Sequence, residues 1–110
     1  MTQLRFSELS GPRQALIRRC QQVGFGTLRK VEVRDREPIF GATEVIFDLK
    51  LDSENAPRPE QNLSDFLVCD EIRRLFSMLD DFVNATIEQI EVRTGVPRRV
   101  FIKVAETTHE

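Results

Sequence analysis

Thr27-Leu28-Arg29-Lys30-Val31-Glu32-Val33-Arg34-Asp35-Arg36-Glu37-Pro38 and Thr86-Ile87-Glu88-Gln89-Ile90-Glu91-Val92-Arg93-Thr94-Gly95-Val96-Pro97 are the two stretches that decide how this chain is read. Laid over one another at an offset of 59 residues, they are identical at five of twelve positions, and two more exchange one aliphatic side chain for another. The same offset places Leu16 on Leu75, Ile17 on Phe76, Cys20 on Leu79 and Val23 on Phe82. Both the alternating stretches and the helix-spaced apolar residues before them therefore match, which is the mark of a repeated supersecondary unit.

Working outward, Ser10-Gly11-Pro12 reads as a helix start, with a serine to cap and a proline in the first turn where its missing N–H is harmless. Leu16, Ile17, Cys20 and Val23 follow at helical spacing and Gly24 stops the run, which predicts a helix from about Gly11 to Val23 with a basic outer face of Arg13, Arg18 and Arg19. From Thr27 the period becomes two and predicts a strand to Arg34, then a turn over Asp35 to Pro38. Val45, Phe47, Leu49 and Leu51 form a wholly apolar face, the strongest strand signal in the chain. The polar, proline-containing stretch from Asp52 to Ser64 reads as a surface connection. A second helix, entered near Ser64 or Asp70, carries Ile72, Leu75, Phe76 and Leu79. Strands from Thr86 to Arg93 and from about Arg98 to Val104, joined at Thr94-Gly95, close the fold.

The expected architecture is an α+β two-layer sandwich: an αββαββ pseudo-repeat with a four-stranded antiparallel sheet and two helices on one face. Residues 1–110 make a single domain, with one unit over about 10–51, a linker over 52–64, a second unit over about 65–104 and a frayed tail over 105–110. Placing the second strand of each unit in the centre puts the wetter strands, Thr27–Arg34 and Thr86–Arg93, at the edges, where charge discourages aggregation. That arrangement is a permuted ferredoxin-like topology. A shared fold carries no function by itself.

Composition bounds the function. The chain of 110 residues is 40% hydrophobic and 31% charged, an ordinary globular balance. Its apolar runs are too short to span a bilayer, and Met1 to Ser10 lacks a signal-peptide core, which predicts a cytoplasmic protein without membrane contact. The net charge of −2 conceals a basic first third, with eight Lys/Arg against three Asp/Glu in residues 1–36, and an acidic middle, with four against thirteen in residues 37–92. Two oppositely charged surfaces of one fold would account for that without a partner.

Reactive constellations are scarce. His109 stands alone in the tail, Cys20 and Cys69 belong to no Cys-x-x-Cys pair and read as buried thiols, and no phosphate-cradling glycine motif occurs. Asp70-Glu71 and Asp80-Asp81 are adjacent on a helix, so each pair diverges by about 100° and does not converge on a metal or a substrate. No catalytic residue, no metal, no cofactor and no small-molecule ligand are expected. What remains is the uncovered sheet face, where alternation places Lys30, Glu32, Arg34, Asp48, Lys50, Glu91, Arg93, Arg99 and Lys103 with Leu28, Ile46 and Phe101 among them. Lys30, Arg34, Lys50, Arg93, Arg99 and Phe101 are the candidate binding residues. A basic sheet with an aromatic ring suits single-stranded nucleic acid, although such readers stack bases on several rings and this chain has no Trp or Tyr. Cross-strand ion pairing explains the same charges more simply. The sequence therefore favours a non-enzymatic protein-interaction module, homodimeric or bound to another protein through a sheet face or edge, over the nucleic-acid alternative.

Overall fold

The computed structural model describes residues 4–52 and 63–104. Residues 53–62 of the expected linker, and the expected tail 105–110 with His109, lie outside the described residues.

A short 3-10 turn, Phe6–Glu8, precedes helix α1, Gly11–Val23. The Ser10 hydroxyl accepts the Arg13 N–H, Pro12 sits in the first turn, and Gly24, at φ 70°, donates its N–H to the Cys20 carbonyl. The expected start and stop are thus the ones used. Strands β1 (Gly26–Arg34), β2 (Glu37–Ile39) and β3 (Glu44–Phe47) follow, then helix α2 (Asp70–Asp81) and strands β4 (Ala85–Arg93) and β5 (Val96–Lys103). The chain is α+β, with a mixed set of long and short strands in one antiparallel sheet of order β2-β1-β4-β5, β3 also pairing with β1. No helix among the described residues is long and apolar enough to cross a membrane.

The strand order corrects the expected one. The two wetter strands, β1 and β4, are neighbours at the centre, paired from Gly26 opposite Val92 to Val33 opposite Ala85, and the second strands of each half lie at the edges. A permuted ferredoxin-like order would need the reverse. The reason is that alternating charge reports an uncovered sheet face as readily as an edge. Leu28, Val31, Val33, Ile87, Ile90 and Val92 share one core with Leu16, Ile17 and Cys20 of α1 and Ile72, Leu75, Phe76 and Leu79 of α2, while the other side of both strands stays open.

Strict alternation fails in the middle of each central strand. Arg29 and Lys30 both face outward between the fully buried Leu28 and Val31, with Lys30 at φ 61°, and Glu88 and Gln89 stand likewise between Ile87 and Ile90. These bulges bring Leu28 into the core, which removes it from the open face where simple alternation places it. The two hairpins turn alike, through Asp35 and Arg36 (φ 53° and 66°) and through Thr94 and Gly95 (φ 52° and 74°), the left-handed pairs that match strand twist.

Arg13 joins the layers. Its Nε donates to Glu37 Oε1 at 3.1 Å, its Nη2 donates to Asp80 Oδ1 at 2.6 Å and to the Arg36 carbonyl at 3.1 Å, and the guanidinium lies 5.1 Å from the Phe76 ring centroid. Basic α1 thus meets acidic α2 directly. At the amino end, the Phe6 N–H donates to the Phe66 carbonyl and the Val68 N–H to the Leu4 carbonyl, both at 2.8 Å, and the rings of Phe6 and Phe66 stack at 4.9 Å beneath the Arg18 guanidinium.

Candidate functional site

The edge built by β3 sets it apart from the rest of the sheet. Val45 lies opposite Leu28 and Phe47 opposite Gly26, so both side chains stand on the helix side, and Ile46, opposite Thr27, stands on the open side. On a covered edge the first two would be core. Here α1 comes near β3 but leaves it partly uncovered: Val45 is 40% exposed and Phe47 53%, Ile46 on the open side is 49% exposed, and the residues that follow include Leu49 at 69% and Leu51 at 97%. The most apolar segment of the sequence is therefore the most exposed apolar segment of the described structure.

β3 approaches β1 closely because Gly26 has no side chain. A Cβ on Gly26, whose φ is 155°, would clash with the carbonyl oxygen of Ile46. The Asp48 N–H donates to the Phe25 carbonyl at 2.8 Å, which fixes the phase of the ladder: even-numbered residues of this segment point their backbone groups at β1. The N–H and C=O groups of Val45 and Phe47 point away from it, and among the described residues β3 pairs with β1 alone.

The open face carries the charges foreseen for it, distributed in pairs. Lys30 Nζ donates to Glu44 Oε2 at 3.3 Å and Arg34 Nη2 to Glu32 Oε1 at 3.4 Å. Arg99 lies 5.0 Å from the Phe101 ring centroid, and its partner across the ladder is Glu91. Lys50 sits 5.6 Å from the Phe25 ring centroid, and with Asp48, Glu91 and Arg93 it lines an open groove of about 510 Å³ at the Gly26 end of β1. The six candidate binding residues are thus spread out: Lys50 and Arg93 share one end of the sheet, Arg34 lies at the opposite end, Lys30 occupies the central bulge, and Arg99 and Phe101 lie on the far edge strand.

The perturbed titrations have structural causes. The Arg5 guanidinium, whose Nε donates to Asp65 Oδ2 at 2.8 Å, together with the Ser7 N–H on Oδ1 at 2.9 Å, holds the Asp65 carboxyl down at about 2, and Arg5 is raised in turn by that hydrogen bond. Burial pushes the Cys20 thiol up to about 12, the state of an inert core residue. Among the described residues no group of three His, Cys, Asp or Glu side chains is placed to hold a metal ion.

Periodicity alone did not identify this edge, because it finds an apolar face without saying whether anything covers it. The available signal was Gly26: the 59-residue offset sets it against Ala85, and at Gly26 a third strand lies close enough to forbid a Cβ. No family model, curated protein or solved structure matches the chain.

Proposed function

We propose that this chain is a non-enzymatic protein-interaction module, built from two copies of an α-β-β unit, whose contact surface is the outer edge of β3 with the apolar side chains from Val45 to Leu51. The observation that carries the reading is the exposure of those five side chains beside backbone groups that pair with nothing among the described residues, an arrangement suited to strand addition by another polypeptide. Left bare, such an edge is an aggregation hazard that soluble folds ordinarily blunt.

The duplication supports placing function there. At the 59-residue offset the start of α1, Gly11, meets the start of α2, Asp70; β1, Gly26–Arg34, meets β4, Ala85–Arg93; and β2 meets the start of β5. Leu28 pairs with Ile90 and Val31 with Ile87, the exchange that a twofold axis between the bulges would produce. β3 departs from this symmetry: the offset carries Val45 to Val104, beyond the end of β5. The segment that breaks the repeat, with the residues that follow it, carries the most exposed large apolar side chains among the described residues.

On the open face Lys30 pairs with Glu44 across to β3 and Arg34 with Glu32 along β1, which occupies two of the six candidate residues without a ligand. A photo-crosslinking residue placed at Leu49, with an exposed control at Glu88, tests the reading in the living cell. A protein adduct at Leu49 alone supports it; a nucleic-acid adduct, or no adduct beyond the control, overturns it.

A further inference from the structure

Resting on that reading of β3, we infer that the partner is a second copy of this chain, added antiparallel through β3 about a twofold axis at Phe47. The register is chosen by three independent properties of the segment Glu44-Val45-Ile46-Phe47-Asp48-Leu49-Lys50. The first is backbone phase. The outward N–H and C=O groups belong to Val45 and Phe47, and continuing the same alternation past Asp48 adds Leu49, so a ladder centred on Phe47 lets Phe47 exchange both bonds with its own copy while Val45 exchanges with Leu49 of the other chain. No outward group within that span is left over.

The second is side-chain pairing. With Phe47 on the axis, Val45 faces Leu49 of the copy, so every side chain on the helix side of the junction is apolar. A twofold axis normal to a continuous sheet keeps the helices of both copies on the same side, and these residues would form the floor between them. Side chains now 40 to 69% exposed would lose much of that exposure.

The third is charge. Glu44, half exposed, falls opposite Lys50 of the copy, and the twofold makes this pair twice. Shifting the centre by one residue destroys the match: an axis at Ile46 sets Glu44 against Asp48, and an axis at Asp48 sets that carboxylate against itself, both unfavourable directly across a ladder. An axis at Leu49 would centre the junction two residues past the end of β3 and draw in the bend at Leu51-Asp52, where the chain leaves the line of the strand. The Phe47 register is the one that satisfies the backbone, the apolar face and the charges together.

Charge reversal tests the register with the intact chain. Glu44→Lys and Lys50→Glu each turn two attractions into two repulsions, so in analytical ultracentrifugation each single variant dimerises about tenfold more weakly than the wild type. Mixing the two variants restores opposite charges at both positions, and the mixture is expected to form a heterodimer as tightly as the wild-type dimer. Circular dichroism of each variant establishes that the monomer fold is kept. Single variants that dimerise as well as the wild type, or a mixture no tighter than its components, overturn the register. A wild-type chain that stays monomeric through the micromolar range overturns self-pairing altogether. The wider reading of β3 fails by a different result, the absence of a protein adduct at Leu49.

Discussion

Gly26 and Ile46 approach so closely across the β1–β3 ladder that a single Cβ on Gly26 would clash with the Ile46 carbonyl oxygen. The missing side chain, together with a φ of 155° that other residues seldom adopt, is what lets the apolar segment lie along β1 at all.

Gly26→Ala is therefore expected to displace β3 while leaving the β1–β4 pairing in place, at a cost of about 1–3 kcal/mol. Urea unfolding measures the loss, and amide exchange locates it at Asp48 and its neighbours. Ala85→Gly, the same position in the second half, should cost only about 0.5–1 kcal/mol by loosening the unfolded chain.

Arg13→Ala removes the bonds to Glu37, Asp80 and the Arg36 carbonyl in one step. The Arg13 side chain is only 15% exposed but Asp80 is 60% exposed, so solvent takes over part of the loss and the expected destabilisation is about 1–2 kcal/mol. Arg13→Lys should recover a minor share, because one ammonium cannot serve the divergent acceptors of a guanidinium fork. Thermal unfolding of the three proteins in parallel checks both statements.

The helices show how much was legible beforehand. α1 begins and ends where Ser10, Pro12 and Gly24 direct it, and the four apolar residues expected on α2 are its buried face. Local chemistry decides such features. The strand order was not local: β1 and β4 alternate because one face of the sheet is open, and that pattern resembles the pattern of an edge. The bulges at Arg29-Lys30 and Glu88-Gln89 shift the alternation by one residue, which is why Leu28 is core. Periodicity does not separate the Val45–Leu51 stretch from a buried central strand, since exposure depends on where the helices finish. The candidate charges were found on the open face, but their separation along the sheet followed from register, which composition does not encode.

Acid should loosen the amino-terminal clamp. The Asp65 carboxyl is held near 2 against an ordinary 3.8, so its ionised form is favoured in the fold. Its contribution is present above pH 3.8 and is lost as pH falls towards 2. The Ser7 amide resonance should report that titration, and Asp65→Asn should remove it while leaving the stacked Phe6 and Phe66 rings in place.

At the alkaline end the sign is the same in mechanism and opposite in direction. The Cys20 thiol is raised by burial to about 12 from 9.0, so the unfolded chain ionises first and stability declines as pH climbs above 9. A thiol reagent should label Cys20 no faster than the protein unfolds, and Cys20→Ala should remove that slow phase, leaving only the labelling of the half-buried Cys69, together with this part of the alkaline loss.

Substitution at Leu49 separates folding from association. Because the side chain is 69% exposed, Leu49→Lys should change stability by no more than about 0.5 kcal/mol. Sedimentation should nevertheless show the dimer weakened.

Residue-resolved amide exchange of Val45, Phe47 and Leu49, measured at low and high protein concentration, bears most directly on the role given to β3. Protection of these three amides that grows with concentration, while that of Ile87 and Ile90 stays constant, is the expected result. Rapid exchange at every concentration, or protection already complete in a dilute monomer, would contradict it.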